Sequence, residues 1–136
     1  AKAFGAKVVC GGSAATDGSY GYFPTVLTDV SFDAPILQTE IFGPVAPLVR
    51  FKDSDDILSH ANNVEHGLVS YVYTQDLGRG MRIAESLESG MVGLNRGLVS
   101  DPAAPFGGVK QSGLGREGAH DGLLAFLETK YVAGNW

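Results

Sequence analysis

Few residues of this 136-residue chain have the type and setting to do chemistry. Glu40 stands in ILQTEIFGPV, between Ile36-Leu37 and Ile41-Phe42. A carboxylate in such an apolar run must be solvated, paired or bonded to a ligand, because burying it alone is costly. It is well suited to accept two hydroxyl hydrogen bonds from a ribose; an internal salt bridge is the rival assignment. Cys10, in KVVCGG, ends an apolar run before a glycine turn, with no adjacent base or helix start to lower its pKa. It reads as a buried structural thiol.

His60, His66 and His120 have no helical i, i+3 or i, i+4 spacing and no cysteine cluster beside them, so no metal site is expected. DSDD at 53–56 lacks the remainder of a calcium loop and reads as helix capping. GLGREG at 113–118 spells G-x-G-x-x-G. A working dinucleotide turn needs a buried strand before it and an acidic residue about 20 positions after it. PFGGVKQS is not such a strand, and the counted position falls near Ala133. The glycines are better explained by close backbone packing ahead of a last helix.

The elements that must hold these residues follow from periodicity. Ala1–Ala6 reads as the tail of a helix and Lys7–Cys10 as a strand, followed by a polar loop over 13–22. Strands are expected over 23–30 and over 45–51, where Pro47 argues for an edge or a bulge. Ile36–Phe42 is a further apolar stretch. Residues 53–64 show N-cap candidates and then helical spacing, 67–76 alternate as a strand, and 77–89 place Leu77, Met81, Ala84 and Leu87 on one helix face closed by Gly90. A short strand at 91–95, a helix over Leu114–Leu127 and a final strand at Glu128–Val132 complete the reading. Strand and helix alternating between 45 and 95 is the pattern of an α/β fold with a parallel sheet.

The bulk numbers narrow the class. The chain is long enough for one domain with a real core. With 44% hydrophobic and 18% charged residues it has a globular composition. The 19 glycines are about twice ordinary usage but show no period, which removes collagen-like and solenoid folds. A net charge of −5 with scattered basic residues argues against nucleic acid. No run is long enough to span a membrane, and AKAFGAKVV lacks the form of a secretory signal. One cysteine fits a reducing compartment, so a cytoplasmic location is expected. A start at Ala1 fits a processed or truncated product.

Taken with Glu40, the stretch PFGGVKQSGLGREG carries a resemblance. From GAKVVCGG through FPTVLTDV, TEIFGPVAPLVRF, HGLVSYVYTQD and GMVGLN to LETKYV, the chain resembles the C-terminal part of an aldehyde dehydrogenase. Within that superfamily it is most similar to succinate-semialdehyde dehydrogenases. The resemblance implies a three-layer α/β catalytic-domain fragment with a parallel sheet over residues 1–126. It also implies a strand and tail over 127–136 for assembly into a dimer or tetramer.

That family oxidises an aldehyde to an acid with NAD or NADP, using a cysteine nucleophile and a glutamate base. Both, with the cofactor domain, are implied to lie upstream, so no catalytic residue is expected here and the chain alone is expected to be inactive. The E-x-F-G-P motif implies that Glu40 holds the nicotinamide ribose hydroxyls and that Phe42 neighbours the nicotinamide. Phe106, in P-F-G-G, is implied to line the substrate tunnel. Ser100, in NRGLVS, matches a serine that hydrogen-bonds the distal carboxylate of the substrate. Arg96 departs from the family's small or neutral residue and is expected either to add a cation for that carboxylate or to form an ion pair. This leaves glutarate semialdehyde, 2-oxoglutarate semialdehyde and aromatic aldehydes as alternative substrates, and a non-catalytic assembly module as a reading of a different class.

Overall fold

Strand β1 (Lys7–Cys10) pairs antiparallel with β2 (Thr25–Thr28), and β2 pairs parallel with β3 (Val45–Pro47), giving the order β1-β2-β3. The register of β1 slips at a bulge between Val8 and Cys10. Pro47 lies on the edge strand β3, where a missing N–H costs the ladder least. The computed structural model describes residues 1–136 as two compact units, Ala1–Asn63 and Val64–Trp136.

The first unit holds the buried apolar residues of the chain, Ala6, Leu27, Val30 and Ala34, around which Val8, Ile36, Leu37, Val45 and Val49 pack. Beside them Thr25 is buried and satisfied, its hydroxyl accepting from Gly12 N–H at 2.7 Å and donating to the Phe23 carbonyl at 2.8 Å. Helix α1 (Ile57–Asn62) starts at Asp56, whose carboxylate accepts from Ser59 N–H at 3.1 Å. The acidic run at 53–56 therefore does contain a helix cap.

In the second unit β4 (His66–Gly67) pairs antiparallel with β7 (Val109–Lys110), while β5 (Val69–Val72) and β6 (Met91–Leu94) pair parallel across helix α2 (Leu77–Ser86). This β5-α2-β6 unit is the parallel α/β element expected from the pattern. Asp76 caps α2 by accepting from Arg79 N–H at 2.9 Å. The fully buried positions of this unit are glycines, Gly67, Gly80, Gly93, Gly108 and Gly122. At Gly67, Gly90 and Gly122 backbone approaches backbone, while Gly80 lies against the Leu94 and Thr74 side chains and Gly93 against the Tyr71 ring. A Cβ on Gly90 would stand 2.0 Å from the Gly107 carbonyl oxygen and 2.7 Å from Gly108 Cα.

Several expectations need correction. Parallel pairing is confined to β2–β3 and β5–β6 in small open sheets, with antiparallel ladders beside them. The single large core is absent: Leu114, Phe126, Tyr131 and Trp136 are among many exposed apolar side chains. Residues 2–4 form one 3₁₀ turn rather than a helix tail. The inward side of α2 runs through Gly80, Ile83 and Ala84, while Leu77 and Met81 are exposed, and the helix ends at Ser86, with Leu87 rather than Gly90 at its C-cap. Gly90 is explained by its close approach, not by capping.

The last helix, α3 (Ala119–Leu124), is shorter than expected because Gly118 opens it at φ 69°. Gly113 and Gly115 also have positive φ with open space around them, so backbone conformation rather than tight packing selects glycine there. Glu128–Val132 lies in no ladder and is exposed, since a strand is completed only by a neighbour's backbone. Cys10 is exposed, its thiol 3.8 Å from the Pro24 carbonyl, which overturns its reading as a buried thiol. No helix is long and apolar enough to cross a membrane.

Candidate functional site

Glu40 and Phe42 stand on the irregular segment between a 3₁₀ turn, Pro35–Leu37, and β3. The turn closes with Gln38 N–H on the Pro35 carbonyl at 3.0 Å. The chain is caught again at Pro44, whose carbonyl accepts from Thr25 N–H at 2.8 Å. Between these ties, Thr39–Phe42 make no hydrogen bond within the chain. Glu40 is exposed and makes no ion pair within the chain, so the salt-bridge assignment finds no support in the geometry. Phe42 is 93% exposed and held at φ 45°. A left-handed conformation costs a non-glycine residue about 1–3 kcal/mol, and such strain gathers at ligand sites.

Arg96, Ser100 and Phe106 share the loop from β6 to β7. Arg96 and Ser100 are exposed, and Arg96–Ser100 make no hydrogen bond within the chain. Both ends of this stretch are tied. At the start, Asn95 (φ 54°) donates its N–H to the Val72 carbonyl at 2.8 Å, beyond the carboxyl ends of β5 and β6. Its side-chain amide then spans Thr74, accepting from Thr74 N–H at 2.9 Å and donating to the Thr74 carbonyl at 2.8 Å. At the far end, Ala104 N–H reaches the Asp101 carbonyl at 3.0 Å, and Phe106 exchanges two backbone hydrogen bonds with Glu117 at 2.8 and 2.7 Å.

Phe106 is half-buried and lines a cavity of about 300 Å³ together with Leu68, Ser112, Leu114, Arg116 and Phe126. The cavity is at the small end of the range for ligand pockets. Arg116 braces its wall, donating to the carbonyls of Gly108 and Gly115 at 2.7 Å each. Arg96 and Ser100 do not line it. Two residues important to this geometry, Asn95 and Arg116, are missed by the motif reading. An asparagine directly after an apolar strand, able to adopt a left-handed turn, is the signal that marks the first. GLGREG, for its part, follows only the two-residue β7 and precedes a six-residue helix, so it is not built as a dinucleotide turn.

Away from these loops, Lys7 and Asp29 form an exposed ion pair at 2.9 Å. The hydrogen bond from Lys7, and then its charge, hold the Asp29 carboxyl below its ordinary value; the same contacts raise the Lys7 ammonium. No cluster of three or more His, Cys, Asp or Glu residues is arranged to hold a metal.

A β-α-β unit whose β6–β7 loop carries hydroxyl and aromatic groups beyond the strand ends has the form of the ligand-binding α/β class. The model of the aldehyde dehydrogenase family matches residues 1–132, and the chain belongs to that family. It is 51% identical over 128 residues to the succinate-semialdehyde dehydrogenase [NADP(+)] of Escherichia coli, covering 94% of this chain and 27% of that protein. It is also 51% identical over 128 residues to the glutarate-semialdehyde dehydrogenase of Pseudomonas aeruginosa, covering 94% of this chain and 26% of that one. A crystal structure described as an E. coli NADP-dependent enzyme superposes with a TM-score of 0.89 at 51% identity, over 94% of this chain and 27% of that one. The fold is thus that of the aldehyde dehydrogenases, and the chain spans about a quarter of the length of these relatives.

Proposed function

We propose that this chain is the C-terminal segment of an NAD- or NADP-dependent cytoplasmic dehydrogenase that oxidises succinate semialdehyde to succinate. Residues 1–126 contribute to its catalytic domain, and 127–136 supply a strand that pairs in a dimer or tetramer. The nucleophile and the general base belong to the rest of the enzyme. Glu40 accepts hydrogen bonds from the two ribose hydroxyls next to the nicotinamide, and Phe42 lies against the nicotinamide. Bound there, the cofactor supplies a hydride acceptor. Ser100 donates its hydroxyl to the distal carboxylate of the aldehyde, Arg96 adds a positive charge near it, and Phe106 walls the approach to the reacting carbon. Burying apolar walls around a few fixed polar groups is how such pockets orient a small substrate.

The observation that supports this reading most is Glu40: an exposed carboxylate with no partner in the chain, two residues before an exposed aromatic in a strained conformation. A diol-binding carboxylate needs both oxygens available, and this one has them. The similarity to a glutarate-semialdehyde dehydrogenase at the same identity makes a five-carbon substrate the second reading.

Glu40→Gln in the full-length enzyme tests the assignment. Losing a charged acceptor costs about 1.5–3 kcal/mol, so the cofactor KM should rise about tenfold or more while the aldehyde KM stays near its wild-type value. A variant with an unchanged cofactor KM removes Glu40 from the site. The 136-residue chain alone is the control, with no turnover expected.

A further inference from the structure

The loop that carries Ser100 is fixed by a residue that touches no substrate in the reading above. Asn95 ends β6 and turns the chain through φ 54°, and its amide matches both backbone groups of Thr74 at 2.9 and 2.8 Å. Thr74 is anchored in turn: its hydroxyl accepts from Asp76 N–H at 3.2 Å, and Asp76 caps α2. The next residues pass close under a neighbouring side chain, for a Cβ on Gly97 would stand 3.4 Å from the Tyr73 hydroxyl. Beyond that, Arg96–Ser100 have no hydrogen bonds of their own. Their course is dictated by the direction in which Asn95 launches them and by the fastening at Asp101–Phe106.

We propose that Asn95 is a positioning residue for substrate specificity. Its amide bridge to Thr74 aims Arg96–Ser100 so that a pocket for the anionic end of a bifunctional aldehyde is formed. The inference rests on the assignment of Ser100 to the distal carboxylate. Only the end of the substrate far from the reacting carbon depends on this bridge, so its loss acts on carboxylate-bearing aldehydes and not on plain ones.

The test compares succinate semialdehyde with butanal, which has the same carbon number and no carboxylate, in the full-length enzyme and in Asn95→Gly. Glycine keeps the left-handed turn and removes the bridge. The expected result is a KM for succinate semialdehyde raised about tenfold, with kcat/KM for butanal within about twofold of wild type. Equal loss on both substrates, or no change on either, overturns the proposal. Asn95→Asp is the second variant: it tolerates the same φ and keeps the acceptor for Thr74 N–H, but sets an oxygen against the Thr74 carbonyl. It should show the same substrate-selective loss, and it decides the matter if Asn95→Gly does not fold. Ser100→Ala separates the two layers of argument. If Ser100→Ala keeps the full preference for succinate semialdehyde, the Ser100 assignment fails. If that preference is lost in Ser100→Ala but retained in both Asn95 variants, only the positioning inference fails.

Discussion

Thr39–Phe42 and Arg96–Ser100 are both short stretches without hydrogen bonds of their own, and both carry proposed ligand contacts. They differ in how their ends are held. The first is caught by single backbone bonds at Gln38 and Pro44 and carries its strain inside, at Phe42. The second is held by a two-point amide at Asn95 and a double backbone bridge at Phe106, near glycines in direct backbone contact. In the second stretch, therefore, the left-handed residue is part of the fastening; in the first it is the presented side chain. Change should cost stability around the second loop and function within the first.

The largest effect is expected at Gly90. A Cβ there meets the Gly107 carbonyl oxygen at 2.0 Å, and backbone cannot swing aside as a flexible side chain does. Gly90→Ala should destabilise the protein by about 3 kcal/mol, the upper end for over-packing, read as a lower urea midpoint. A midpoint unchanged by this substitution would show that the region yields, and that the contrast between the loops is unfounded.

Phe42→Gly probes the opposite behaviour. Relief of left-handed strain offsets the greater backbone entropy of glycine, so stability should stay within about 1 kcal/mol of wild type. The ring is lost, however, and the cofactor KM in the full-length enzyme should rise about tenfold, as for a lost aromatic contact. A variant equally tight for cofactor would mean that the strain at Phe42 serves the local fold alone.

How much of this was legible in the sequence follows from the same contrast. One cap and the parallel strands were readable because they depend on neighbours in the chain: Asp56, within the N-cap candidates at 53–56, caps α1, and Val69–Val72 and Met91–Leu94 show their β-type runs, whereas Asp76, read as the end of a strand, caps α2. The pattern left Arg96, Ser100 and Phe106 between the strand at 91–95 and the last helix, and they lie between β6 and β7; Glu40 and Phe42, in what read only as an apolar stretch, stand on an irregular segment. What escaped depends on contacts distant in sequence. Gly90 looked like a helix stop because its real neighbours, Gly107 and Gly108, lie far along the chain. Cys10 looked buried because its flanks are apolar, yet its strand faces outward at that point. The helix expected over Leu114–Leu127 is longer than α3 because apolar spacing does not reveal that Gly115 and Gly118 adopt positive φ. Glu128–Val132 has strand composition but no neighbour to pair with in this chain.

The smallest effect concerns the Lys7–Asp29 pair, which ties the start of β1 to the end of β2 at the surface of the first unit. Asp29 is held below its ordinary 3.8 by the Lys7 hydrogen bond and charge, with Arg50 adding a little. Its contribution to stability is complete above that value and is lost as pH falls through the lowered pKa. Lys7 is held above 10.5, so its share is complete below 10.5 and is lost as pH rises through the raised pKa. Between these limits the pair contributes a constant, small amount, because both groups are exposed and screened by salt. Asp29→Asn keeps a residue that tolerates φ 53° while removing the charge. Its melting midpoint should fall slightly below wild type at neutral pH, the gap narrowing in high salt and closing in acid below the lowered pKa of Asp29. A gap that persists in acid would assign the effect to the turn itself, and the weak fastening of the first unit would then be backbone conformation rather than charge.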